Sequence, residues 1–193
     1  MGFLNELFSA GVWGEKTPTA PQWKKWIHRN LSDNHCPECL KLHECWFLKE
    51  KAPSWPHHPF CHCLLEDIPY NDVLTKCSCK CPYEKFDPYL FVPENSYKHG
   101  KSAMLESWGY SVRDSSYLKE EIEKQGLEKY KNGNYTIGLL NEYGQRISIR
   151  VELPRKNGDG TVSFITGWMV NPNGLIQLNT QRNAWRYLVR RIN

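Results

Sequence analysis

Cys36-Pro37-Glu38-Cys39 sets two thiols two residues apart, a spacing that lets one tight turn present both sulfurs to a single tetrahedral ion. About twenty residues later, His58-Pro59-Phe60-Cys61-His62-Cys63 brings further imidazole and thiol donors. All eight cysteines lie between Cys36 and Cys81. The opening residues, MGFLNELFSAGVWGEK, carry no basic region ahead of their short apolar run. The thiols are therefore read as reduced and serving a metal rather than paired as disulfides. Zinc takes four thiolate or imidazole donors. The expected set is Cys36, Cys39, His58 and Cys61, with Cys63 able to replace either of the last two. A catalytic zinc needs an open position and a nearby acid or base. Glu38 sits inside the knuckle, but the deaminase pattern of His-x-Glu followed by Pro-Cys-x-x-Cys is absent, so a structural ion is expected. Cys77, Cys79 and Cys81 alternate and leave two readings open. They complete a second metal site with Cys45, His43 or His62, or they form a reactive, oxidisable loop.

The elements that must hold these groups divide the 193 residues into three parts. Residues 1–20 are broken by Gly11, Gly14 and Pro18 and read as an arm. Residues 21–82 form the zinc module. It opens with PQWKKWIHRNL, where Trp23, Trp26, Ile27 and Asn30 fall at helical spacing. LLEDIPYNDVLT reads as a hinge or short helix, and the segment from Cys77 to Pro82 as irregular. From residue 83 to 193 cysteine disappears and an α+β pattern begins. Lys101–Gly109 and Ser116–Tyr130 read as helices, the second with Leu118, Ile122 and Leu127 as its apolar stripe and with Gly126 weakening it. NYTIGLLN, QRISIRVELP, TVSFITGWMV and GLIQLN follow as four strands of an antiparallel sheet on which the helices pack. Ile147, Ile149 and Val151 alternate with Ser148, Arg150 and Glu152, as in a strand with one buried face. No run of apolar residues reaches membrane-spanning length, and a cytoplasmic location, in a bacterial host, is expected.

HCPECLKL, Trp46, Pro53 and HPFCHC resemble the C-terminal portion of the phage Mu F-type head morphogenesis domain, with His62 where that family carries Arg. The resemblance covers about thirty residues and implies the zinc knuckle. KFDPYLF, HGKSAMLESWGY, the long helix and the four strands ending in GWMVNPNGLIQLNT are similar to a domain attached to such phage proteins and to polymorphic toxins. That domain looks like the barnase, EndoU, colicin and RelE ribonuclease fold. The resemblance implies a phage or prophage protein that acts on or binds nucleic acid, RNA before DNA. The rival expectation is a non-enzymatic phage protein that binds and inhibits a host defence complex.

A metal-independent ribonuclease needs a base, an acid and cations for the phosphate. His99 and Lys101 flank Gly100 ahead of a helix, and Arg150, with Thr166 or Thr180 on neighbouring strands, completes the expected catalytic set. Arg182, Trp185, Arg186 and Arg190 form the expected nucleic-acid face, the three arginines four residues apart on one helical side. The net charge of +4 does not by itself demand a polyanion. Trp108 and Trp168 are expected in the core rather than as stacking platforms.

Overall fold

A computed structural model describes residues 20–29, 36–91 and 100–179, with the backbone of 186–187. The expected arm lies almost wholly outside the described residues. PQWKKWIHRNL holds a strand, β1 (Trp23–Ile27), not a helix. It is the middle strand of a three-stranded antiparallel sheet, between β2 (Trp46–Leu48) and β3 (Leu64–Ile68). Residues three apart in a strand point to opposite faces. Trp23 meets Tyr130 edge-on at 5.1 Å between ring centroids, whereas Trp26 meets His57 at 6.0 Å. Both faces of β1 are covered, so two buried tryptophans at i and i+3 imitate a helical stripe.

Between β1 and β2 lies α1 (Pro37–Leu42), begun by Cys36 and a first-turn proline. LLEDIPYNDVLT resolves into β3 and then α2 (Tyr70–Lys76). The cysteine segment expected to be irregular contains β4 (Ser78–Lys80). The helices of the second half are α3 (Lys101–Ser107) and α4 (Ser115–Lys131). They are followed by β5 (Thr136–Asn141), β6 (Gly144–Pro154), β7 (Thr161–Val170), β8 (Leu175–Leu178) and the two-residue β9 (Arg186–Tyr187).

The four expected strands are present, but the sheet is neither four-stranded nor wholly antiparallel. Its order is β4-β8-β7-β6-β5, with β9 also pairing β7. β4 joins in parallel, Ser78 opposite Leu175 and Lys80 opposite Gln177. The fold is thus mixed α and β with two sheets. Along β6, Ile147, Ile149, Val151 and Leu153 are buried while Arg150 and Glu152 are exposed, which is the alternation of a strand with one covered face.

One apolar cluster runs from Trp23 to Leu178 and includes residues from both sheets. The Tyr130 hydroxyl donates to the Trp46 carbonyl at 2.6 Å, and the Leu48 N–H donates to the Tyr135 hydroxyl at 2.9 Å. Buried phenols with satisfied hydroxyls are what allow aromatic rings to fill such a seam without a desolvation penalty. On α4, the line Leu118, Ile122, Gly126 and Tyr130 faces the core. Gly126 belongs to it because Trp168 packs directly on its backbone: a Cβ there would stand 2.5 Å from Trp168 Cζ2. No helix among the described residues is long and apolar enough to cross a membrane.

Candidate metal centre

The first turn of α1 and the loop entering β3 meet near the strand ends where Ile27 of β1 pairs with Leu64 of β3. Two donor triads form there, Cys36–Cys39–His58 and Cys39–Cys61–Cys63, each with all ligand atoms within 4.8 Å of one another. Cys39 belongs to both. Its sulfur stands 3.4 Å from His58 Nε2 and 3.9 Å from the Cys61 sulfur. A zinc tetrahedron with bonds of about 2.3 Å to sulfur and 2.05 Å to nitrogen has edges of about 3.8 Å between sulfurs and 3.5 Å from sulfur to nitrogen. The measured separations are those edges to within about 0.1 Å. The five residues expected as metal ligands are therefore brought together, and their donor set fits a thiophilic ion.

Local structure explains the convergence. His58, Pro59, Phe60 and Cys61 make a turn closed by the Cys61 N–H donating to the His58 carbonyl at 3.2 Å. Phe60 adopts a φ of 58°, which folds His58 back beside Cys61. His58 Nδ1 donates to the Pro59 carbonyl at 2.8 Å. That bond fixes the tautomer and leaves the Nε2 lone pair turned towards Cys39. The same bond raises the His58 pKa.

The sulfurs are tuned by backbone N–H groups. Burial works against thiolate formation at Cys36, yet hydrogen bonds from Cys39 and Glu38 at the start of α1 outweigh it and lower the pKa. Burial likewise opposes ionisation of Cys61, but the Cys63 and His57 N–H groups bring its thiol down to about 7. Cys39 and Cys63 are raised, burial first among the causes in each. The Trp26 indole N–H, buried without an oxygen or nitrogen partner, favours the Cys63 thiolate. Glu38, the one acid inside the knuckle, is held by His57 Nε2 at 2.8 Å.

The remaining cysteines separate into two kinds. Cys45 is buried, its thiol directed at the Lys41 and Val170 carbonyls, each 3.6 Å away. Cys77 lies beside Gly174, where a Cβ would come within 2.9 Å of its sulfur. Among the described residues, neither joins a donor group. Burial pushes both thiols up to about 12, so at about pH 8 the thiolate fraction is near one in ten thousand. Iodoacetamide at that pH is expected to leave Cys45 and Cys77 unmodified in the native protein and to label both after denaturation, as peptide mapping would read. Cys79 and Cys81 instead meet Glu123 of α4. His43 and His62, expected as companions of these cysteines, are absent from that group; His43 Nδ1 accepts from the His28 N–H at 3.2 Å.

The expected catalytic set is only partly within the described residues. His99, Thr180, Arg182, Trp185 and Arg190 lie outside them, and of Arg186 only the backbone is described. Lys101 follows the left-handed Gly100 at the start of α3 and is 6% exposed, with burial and then Lys85 lowering its pKa. Arg150 is exposed and its Nη1 donates to the Ser163 hydroxyl at 3.3 Å. Thr166 is fully buried, donating to the Ile149 carbonyl at 2.9 Å and accepting from the Trp168 indole at 2.8 Å. It packs the core and is not available to a substrate. Trp168 is buried as expected, and Trp108 lies against Phe164 at 5.9 Å.

Glu123 is the one chemically notable residue that the sequence does not flag. It sits four residues after Lys119, an ordinary surface ion pair, with no local hint of the cysteines across the fold.

Fold and site together define a mixed α and β protein with a cysteine-rich cluster beside a small sheet that could hold a metal ion. Neither a family profile, a curated protein nor a solved structure matches this chain.

Proposed function

We propose that this is a zinc-stapled binding protein of phage or prophage origin, in which the metal is structural and the molecule works by engaging a host protein. The observation that carries the reading is the number of donors gathered in one place. Five protein donors, Cys39 among them, fall in two triads that share Cys39, enough to fill the four positions of a tetrahedral ion, whereas a catalytic zinc keeps a position open. Cys36, Cys39, His58 and Cys61 hold the ion, with Cys63 in reserve against Trp26. Zinc is the ion the donors select, because thiolate with imidazole disfavours magnesium and calcium. Bound there, zinc would fix the start of α1 to the loop before β3, and so tie down the end of the three-stranded sheet where β1 pairs with β3.

A binding role is favoured by the edge of the larger sheet. β5 ends the larger sheet, and Leu139 on it is 80% exposed, with Ile137 and Tyr143 exposed nearby. A sheet edge of this kind is a template for pairing with another chain. The ribonuclease reading has Arg150 in its favour, exposed and beside the Ser163 hydroxyl, as a cation on a polar strand face. Its lysine is less suited, since Lys101 is buried.

One set of measurements on the purified full chain tests the reading. Elemental mass spectrometry should find zinc, single-stranded RNA should stay intact on incubation, and a host protein retained by the wild type should be lost with Leu139→Asp. RNA cleavage that disappears with Lys101→Ala would instead establish the ribonuclease.

A further inference from the structure

A second constellation of donors lies at the opposite edge of the larger sheet from β5. β4 is its outermost strand, and alternation along it exposes Ser78 and Lys80 while turning Cys79 inwards. Cys81, just past the strand, is buried on the same side. α4 packs over this edge and supplies Glu123 one turn beyond Lys119. The Cys79 sulfur, the Cys81 sulfur and a Glu123 carboxylate oxygen all lie within 4.8 Å of one another. In a tetrahedral zinc site the corresponding edges are about 3.8 Å between sulfurs and about 3.6 Å from sulfur to oxygen. A side-chain adjustment of about 1 Å closes the set around an ion.

We propose that Cys79, Cys81 and Glu123 form a second divalent-metal site, selective for zinc-class ions and distinct from the cluster around Cys39. The donors are two soft thiolates and one carboxylate, a combination that disfavours magnesium and calcium. Three protein ligands leave the fourth position to an exchangeable water, the arrangement of an open rather than a saturated site.

Charge explains the fourth neighbour. Two thiolates, a carboxylate and a divalent ion sum to one negative charge. The Lys119 ammonium, 2.6 Å from Glu123 Oε2, cancels it. Lys119 is the counter-ion on the outside of the site, and it holds the Glu123 carboxylate beside the two thiols through an i, i+4 contact. The ion would clip an edge strand, with one strand neighbour among the described residues, to the helix above it.

The site differs from the Cys39 cluster in position and ligands, so the two can fail separately. The test is cobalt(II) titration of the metal-stripped full chain, followed by brief alkylation and peptide mapping, with Glu123→Gln run alongside. About two ions per chain are expected for the wild type and about one for Glu123→Gln. Cobalt should protect the Cys79 and Cys81 peptides only when Glu123 is present, whereas protection of Cys36, Cys39 and Cys61 should be the same in both proteins. Because Glu123 is half-buried on a helix face, its amide should leave the circular dichroism spectrum unchanged. Should the glutamine variant misfold, the wild-type protection pattern alone decides the matter. Cys79 and Cys81 alkylated equally with and without cobalt, or recovered joined as a disulfide from metal-loaded protein, would overturn the proposal. Loss of protection at Cys36, Cys39 and Cys61 alone would count against the first centre and leave this one standing.

Discussion

A Cys39→Ser chain is expected to lose its first metal and to melt the three-stranded sheet. Cys39 is the vertex shared by both donor triads and is 1% exposed. Serine places a shorter, harder oxygen where a thiolate is required, and among the described residues Cys39 is the donor common to both triads. Structural zinc in small modules contributes about 10–16 kcal/mol of apparent binding free energy, and the net stability of a domain is about 5–15 kcal/mol. Removing the central ligand therefore exceeds what the three strands can absorb. Because Trp23 packs on Tyr130 and the Tyr130 hydroxyl is bonded to Trp46, the melting should carry into the larger sheet as one broadened transition. Cys63→Ser makes the contrast. It leaves Cys36, Cys39, His58 and Cys61 in place, so the ion should stay and affinity should fall by roughly ten- to a hundredfold. Zinc content and a thermal melt on the two variants decide the matter. A Cys39→Ser chain with full zinc and an unshifted melt would mean that the ion is not built around Cys39.

How much of this could be read from residues alone depended on whether the controlling contact was local. α4 and the strands β5 to β8 were legible because each carries its own period and its own breakers. The Asn132-Gly133 turn and the Asn171–Gly174 turn bound them, and Gly133 and Gly174 do adopt positive φ. The donor cluster was legible for the same reason: two short motifs supply its five residues. β1 was not, because the coverage of its two faces comes from Tyr130 on one side and His57 on the other, both distant in sequence. β4 was hidden by its cysteines, which read as chemistry rather than as a strand, and its partner β8 lies almost a hundred residues away. Cys45 and Cys77 could not be told from ligands by spacing. Only their burial away from other donors makes them packing residues. Glu123 stayed invisible because a Lys119–Glu123 pair at i, i+4 is what any solvated helix face shows. The same limit applied to Gly126, where the sequence shows a helix-weakening residue and the fold shows a reason for it.

Gly126→Ala should therefore destabilise the protein, against the usual direction for a glycine inside a helix. Helix propensity alone favours alanine by about 1 kcal/mol. The added methyl, however, would stand 2.5 Å from Trp168 Cζ2 and 2.7 Å from Cη2, distances that real carbon contacts do not reach. The ring has little freedom to yield. It is fully buried, its indole N–H donates to the Thr166 hydroxyl at 2.8 Å, and that hydroxyl donates to the Ile149 carbonyl at 2.9 Å. Shifting the ring strains this relay, and shifting α4 instead disturbs the Tyr130 contacts with Trp23 and Trp46. Overpacking of a well-filled core costs about 1–3 kcal/mol and, with a rigid ring and a fixed backbone opposed, the upper part of that range applies. The net loss is about 1–2 kcal/mol, a fall of several degrees in melting temperature for a chain of this length. Trp168→Phe removes the ring atoms that meet the methyl, so Gly126→Ala should cost less in that background. A double-mutant cycle then gives a favourable coupling between the two substitutions. Equal costs in both backgrounds would show that the close approach of Trp168 does not govern this position, and a stabilised Gly126→Ala chain would reduce the glycine to a defect of helix propensity.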